Sequence, residues 1–337
     1  MSITTDPRSI IAERSFRFRR ALALTAVGLL ALSACGDDDS SSDDTAAPAE
    51  NSAVSSAPDT VPAAEAVVTT PVTEAGGGDV APVKIISLSP TATEMLFAIG
   101  AGDQVIAVDD QSNFPAEAAA KGTDLSGFEP NVEAIAAYAP DMVIHDGTTD
   151  IGDQLDALGI PQMAASAALT FDDIYVQIEQ LGALTGHIGE AAELVGQMQT
   201  DIATAVARIP QSGTPLKYFH EIDATLFSST SNTFIGQVYG LFGMQNIADT
   251  AEGGTDYPQL SAESIISQNP DFIFLADADY GESPETVGAR PGWDVIAAVA
   301  NGNVVPVSAD ISSRWGPRVV EYIQIVADAI EKASVPA

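Results

Sequence analysis

"NVEAIAAYAPDMVI", residues 131–144, returns in outline as "SAESIISQNPDFIF", residues 261–274. Glu133 matches Glu263, Ile135 matches Ile265, and Pro140-Asp141 matches Pro270-Asp271. Each copy opens on a residue suited to capping a helix, Asn131 or Ser261. Each then carries apolar residues at helical spacing into a proline and a continuous apolar run. A helix–strand unit used twice predicts a fold built twice.

The surrounding chain alternates in the same way. "VKIISLS" (83–89) and "QVIAVD" (104–109) read as strands on either side of a helix in "PTATEMLFAIGAG". There Thr91 and Glu94 have capping-box spacing, and Gly100 and Gly102 end the helix. A helix at 132–139, a strand at 141–145, and a helix plus strand in "IGDQLDALGIPQMAA" follow. After Pro210 the alternation restarts with the strand "LKYFHEID" and a helix with a glycine stop in "SNTFIGQVYGLFGMQNIAD". The second copy comes next, then "PGWDVIAAVANGNVVPVSAD" as helix and strand, and "GPRVVEYIQIVADAIEKA" as a closing amphipathic helix. Strands that are continuous apolar runs imply parallel sheets covered on both faces. Residues 187–208 hold no proline and keep apolar spacing, a helix of roughly 33 Å. That length suits a strut between two lobes: an N-terminal lobe at 83–186, a connecting helix at 187–210 and a C-terminal lobe at 211–337.

The N-terminus is of another kind. Basic "RSFRFRR" precedes the apolar run 21–34, too short to span a bilayer, and then the one cysteine, Cys35. Leu32-Ser33-Ala34-Cys35 resembles a lipobox, so residues 1–34 read as a lipoprotein signal peptide and Cys35 as the lipidated first residue; the plainer reading is a secretory signal with an incidental cysteine. A single cysteine allows no internal disulfide. Residues 35–82, rich in Asp, Ser, Ala and Pro, form an acidic disordered tether with a reach of roughly 35–40 Å.

The signal holds five of the 13 basic residues and two of the 47 acids, leaving eight basic and 45 acidic residues, about −37. Such a field excludes nucleic acid and anionic lipid headgroups as partners. Glycine-rich phosphate loops, a nucleophile elbow and a cysteine cluster for zinc are all missing. Of the three histidines, His187 falls at a helix start, whereas His145 and His220 each stand near the C-terminal end of a strand. In open α/β sheets ligands bind at that edge, although either ring can equally pack against a neighbouring loop. Phe114, Phe128, Tyr257, Tyr280 and Trp315 lie in turn-rich loops and suggest a lined cleft for a large, flat or greasy ligand. Arg314 and Arg318 bracket Trp315 and either face that ligand, cap the last helix or pair with acids.

"KIISLSPTATEMLFAIGAGDQVIAVD", "GFEPNVEAIAAYAPDMVI", "FHEIDATLFSSTSNTFIGQVYGLFGMQNIAD" and "YPQLSAESIISQNPDFIF" together resemble the Fe/B12 periplasmic-binding family, over residues 83–334. The resemblance implies class III architecture, two Rossmann-like lobes joined by one rigid helix. It also implies a non-enzymatic, monomeric substrate-binding protein of an ABC importer, without cofactor, anchored on the outer face of the cell membrane. Its partners would be a permease dimer with a cytoplasmic ATPase and a metal-chelate ligand. Tyr257 falls where cobalamin binders place an aromatic against the corrin; Phe114 and the "SSRWGPR" loop fall on other cleft segments. The position before Phe128, aromatic in some cobalamin binders, is Gly127, and no arginine-rich cradle for catecholates is evident. The ligand implied is a corrinoid or a hydroxamate siderophore; haem stays open, with His145 or Tyr280 on the iron. Glu133 and Glu263 resemble the two glutamates that dock into arginine pockets of the permease subunits. Two rival readings are a hydrolase using His220 and Glu221, and an adhesin or sensor without a transporter.

Overall fold

The computed structural model describes residues 84–210 and 213–334. The expectations for the signal peptide, Cys35 and the tether fall outside the described residues.

The first half runs β1 (Ile85–Leu88), α1 (Pro90–Ala98), β2 (Val105–Val108), α2 (Ala116–Ala119), α3 (Val132–Ala136), β3 (Met142–His145), α4 (Ile151–Ala157) and β4 (Gln162–Ala164). Two long helices follow, α5 (Phe171–Thr185) and α6 (Ile188–Ala207). The second half runs β5 (Lys217–Glu221), α7 (Phe234–Gly240), β6 (Gln245–Asn246), α8 (Ala262–Gln268), β7 (Phe272–Leu275), α9 (Pro284–Gly288), α10 (Ala297–Ala300), β8 (Val304–Pro306), α11 (Ala309–Ser313) and α12 (Val319–Ala333). All strand pairs are parallel, in the orders β2-β1-β3-β4 and β6-β5-β7-β8. The fold class is therefore α/β with two parallel four-stranded sheets, as the alternation predicts.

The repeated motif occupies the same place twice, feeding the third strand of each half. Asn131 caps α3 by accepting from the Ala134 amide at 2.9 Å, and Ser261 caps α8 by accepting from the Ser264 amide at 3.1 Å. Ile135 and Ile265 are each fully buried. The Pro-Asp pair also has a physical reason. The Asp141 carboxylate accepts from the Lys84 amide at 2.8 Å, and the Asp271 carboxylate accepts from the Lys217 amide at 2.8 Å. Each aspartate thus ties the entry of its own strand to the start of the neighbouring central strand. The residue before each proline, Ala139 or Asn269, is left-handed at φ 48° and 50°. That turn ends α3 at Ala136, short of the predicted 139.

The long central helix is 20 residues, about 30 Å. It is wedged between helices and not a free strut. Gly182 of α5 lies so close to Ala191 of α6 that an added Cβ would come within 2.4 Å. On its other side α6 packs on α12, and Arg208 ion-pairs with Asp328 and Glu331. One buried cluster runs from Ile85 and Met95 through Ile178, Met198 and Ile202 to Tyr218, Phe274 and Val326. Separate clusters cover the far face of each sheet.

One local expectation is corrected. Ser89, and not Thr91, caps α1: its hydroxyl accepts from the Ala92 amide at 3.3 Å with Pro90 at the first helical position, and Glu94 turns inward. The helix with a glycine stop expected within 231–249 is α7, which ends at Gly240. Gly243 turns left-handed at φ 64°, and Gln245 then donates to the Leu216 carbonyl at 2.8 Å to open β6.

Candidate ligand-binding site

A cavity of about 410 Å³ lies at the C-terminal ends of β5 and β7. His220 and Ala276 line it from the strand ends, Phe234 and Ile235 from the start of α7, and Ala309 and Ser312 from α11. Tyr257 and Tyr280 stand at its rim, 52% and 82% exposed. No charged side chain lines it. Two other cavities, of about 310 and 570 Å³, sit at the opposite strand ends, beside Phe272 and Val304 or beside Leu216. The C-terminal edge is where a parallel sheet leaves a crevice for ligand. Three of the sequence-derived candidates, His220, Tyr257 and Tyr280, therefore meet at one cavity.

His220 is wholly buried beneath it. Its Nδ1 meets the Tyr239 hydroxyl at 2.9 Å, and the Tyr322 hydroxyl donates to Tyr239 at 2.6 Å. Burial pushes the imidazole pKa down to about 3, so the ring is neutral. Glu221, the next residue, points to the other face of the strand. There Arg290 grips it through two hydrogen bonds of 2.7 and 2.5 Å, also bonds Glu282 at 2.8 Å, and lies 4.6 Å over the Trp293 ring. Glu221 is thus a buried structural anion and not a cavity residue. The hydrolase reading loses its His–Glu pair on this geometry.

The remaining candidates sit elsewhere. Arg314 bonds the buried Glu94 at 2.8 Å, Asn113 at 2.9 Å and Asp310 at 2.8 Å. Arg318 bonds both Glu94 oxygens at 2.8 and 2.5 Å and lies 4.2 Å over the Phe114 ring. Arg314, Arg318 and Phe114 thus form a cross-link between α1, the loop after β2 and the α11–α12 turn. The acid they share is buried, and Arg314 pairs in addition with the part-exposed Asp310. Trp315 packs against the main core and does not line the cavity, contrary to its expected place as a cleft wall. Phe128 is 73% exposed and outside the cavity too. Gly127 is dictated by crowding, since a Cβ there would lie 2.5 Å from the Leu88 carbonyl oxygen. His145 accepts from the Gly147 amide at 3.1 Å and meets Gln162 at 2.8 Å, so both ring nitrogens are engaged within its own half. It does not line the cavity over His220.

Against known proteins, a family model described as periplasmic binding protein matches residues 85–310. This chain belongs to the periplasmic binding protein family. Among its relatives, an uncharacterized ABC transporter substrate-binding lipoprotein of Bacillus subtilis is 30% identical over 258 residues, covering 74% of this chain and 80% of that one. A cobalamin-binding protein of Halobacterium salinarum is 30% identical over 281 residues, covering 79% of this chain and 75% of the relative. Among solved structures, the periplasmic vitamin B12 binding protein of Vibrio cholerae superposes with a TM-score of 0.61 at 27% identity, covering 76% of this chain and 99% of that one. A haem-binding protein of Roseiflexus shares the fold, with a TM-score of 0.66 at 20% identity, over 76% of this chain and 100% of that one. The family's relatives are binding proteins, and the metal chelate some of them are named for is cargo, not a catalytic cofactor.

Within this periplasmic binding protein, Glu133 and Glu263 stand exposed in the first turns of α3 and α8. Neither side chain has an ion-pair partner among the described residues. Sequence reading missed Glu94, Arg290 and Asp277. Glu94 imitated a capping residue, and the Ser89-Pro90 dipeptide was the signal against that. Arg290 and Asp277 find their surroundings only through tertiary contacts with no local pattern.

Proposed function

We propose that this protein is the extracytoplasmic substrate-binding lipoprotein of an ABC importer. It captures a metal chelate, a corrinoid or a ferric siderophore, at the cavity over His220 and hands it to a permease dimer driven by a cytoplasmic ATPase. The observation that carries this reading is an apolar, uncharged cavity rimmed by two exposed tyrosines at the C-terminal strand edge of a periplasmic-binding fold. Relatives and a solved neighbour named for cobalamin support it. Cys35 would hold the protein to the membrane, and Glu133 with Glu263 would dock on the permease. Haem is the second reading, favoured by the exposure of Tyr280 at the rim, its phenol oxygen serving as the iron ligand. Titration calorimetry with cyanocobalamin, a ferric hydroxamate, a ferric catecholate and haemin tests both. Heat of binding from a corrinoid or hydroxamate is expected; binding to none of the four removes the proposal.

A further inference from the structure

His220 offers this cavity more than a wall. The ring is fully buried, it lines the cavity, and its Nε2 has no partner among the described residues. Counting hydrogen bonds assigns its proton. The Tyr322 hydroxyl lies 3.4 Å from Nδ1 but donates to Tyr239, so the proton left for Nδ1 is that of Tyr239. A neutral imidazole that accepts at Nδ1 carries its hydrogen on Nε2. Charging the ring as well is opposed by burial. The unpartnered Nε2–H is thus a neutral donor behind the cavity lining, with no surface of its own open to solvent, and an acceptor that reaches it as the lining shifts satisfies it.

No cation stands ready for an anion there. The three arginines of this half are committed, Arg290 to Glu221 and Glu282, Arg314 to Glu94 and Asp310, and Arg318 to Glu94. A ligand carboxylate on the cavity floor would be a buried charge without a counter-ion. An amide or hydroxamate carbonyl would accept the Nε2–H and bury no net charge.

We infer that His220 is the specificity-determining donor of this site. Held by Tyr239 and Tyr322, it selects chelates whose buried edge is an uncharged carbonyl over chelates whose edge is a carboxylate. The inference rests on the chelate-binding reading above and names the chemistry of the ligand edge.

The test is titration calorimetry on the full chain with two pairs of probes. Cyanocobalamin is compared with cobyrinic acid, its carboxylate-edged counterpart, and ferrioxamine B with ferric citrate. Wild type is expected to prefer the amide or hydroxamate member by about 10-fold or more. His220→Phe is expected to weaken that member by about 10-fold, and His220→Gln, which keeps an N–H donor, by no more than about 3-fold. Equal affinity of wild type within each pair, a carboxylate preference, or unchanged affinity in folded His220→Phe each overturns the inference and leaves chelate binding standing. If His220→Phe does not fold, Tyr239→Phe, which removes the hydroxyl that fixes the ring proton on Nε2, is titrated in its place: a narrowed amide-over-carboxylate ratio is expected, and an unchanged one overturns the inference. Binding of no probe overturns the chelate reading and this inference together.

Discussion

Asp277, two residues past β7, is 3% exposed, and its carboxylate accepts no hydrogen bond from another residue among the described ones. Burial first, then the charge of Glu221 and, more weakly, that of Glu282, pushes its pKa up to about 7 against smaller pulls from its own backbone amide and from Arg290. A carboxyl that holds its proton more tightly folded than unfolded contributes stability below its unfolded value, and that contribution is lost as pH rises through the folded value. The window therefore runs from about pH 4 to about pH 7, and the folded protein is under full penalty at pH 8. Asp277→Asn should stabilise by about 2–4 kcal/mol at pH 8 and by clearly less at pH 5. Urea unfolding at the two pH values checks it, and a gain that is equal at both would rule the ionisation out. Nothing local in "FLADADYGE" marks Asp277 from Asp279, because only the fold brings Glu221 beside it. The two aromatics assigned to one cleft part company for the same reason. Tyr257 rims the cavity, and Tyr257→Ala should weaken cyanocobalamin binding by about 1–3 kcal/mol with little change in melting temperature. Trp315→Ala should do the reverse, since its ring packs on the core. Calorimetry and thermal melts on both variants separate the roles.

Helices and strands were legible because each is specified locally. Asn131 and Ser261 do cap α3 and α8, and the apolar runs that follow do form β3 and β7. What stayed hidden is how elements are fastened together. Glu94 lies 220 residues before Arg314, a separation across which no periodicity reaches. Its side chain is 1% exposed and satisfies both Arg314 and Arg318, themselves only 10% and 13% exposed. Removing one partner of a buried pair leaves the other charge uncompensated, at about 3–5 kcal/mol. Glu94→Gln should therefore destabilise by about 3 kcal/mol or more. The loss should be coupled to the arginines, so adding Arg318→Met should cost much less in the Glu94→Gln background than in wild type. Additive losses in denaturant titrations would mean that α1 and the α11–α12 turn are fastened by something else. On the opposite side Phe171 meets Phe234 edge-on at 5.3 Å, and Gln237 bonds the Leu169 carbonyl. Two dissimilar contacts thus flank the continuous core that joins the halves.

At the scale of the whole molecule, the duplication has a consequence for partners. Cys35→Ser should release the protein from membranes or leave an unprocessed precursor, as fractionation and mass spectrometry of the N-terminus would show. A flexible tether would leave orientation free, so docking on the proposed permease would have to be fixed by marks on the folded part, and the repeat supplies a matched pair of them. Glu133 and Glu263 occupy the same turn of the same helix before the same strand of two sheets with the same order. Each is exposed, while the isoleucine two residues on is fully buried. A carboxylate in a helix's first turn gains about 0.3–1 kcal/mol from the helix dipole, and that local effect could alone account for both. It requires nothing of a partner, so it predicts a small loss of stability on removal and no loss of transport. Docking predicts the opposite, because charge pairs across an interface set register and encounter rate more than they set affinity. Glu133→Ala combined with Glu263→Ala should therefore leave ligand affinity and melting temperature within about 1 kcal/mol of wild type while uptake through the cognate permease collapses. Each single variant should fall between, since one mark still fixes one half. Uptake measured with labelled ligand in cells carrying the double variant decides between the two accounts: normal uptake leaves only the dipole.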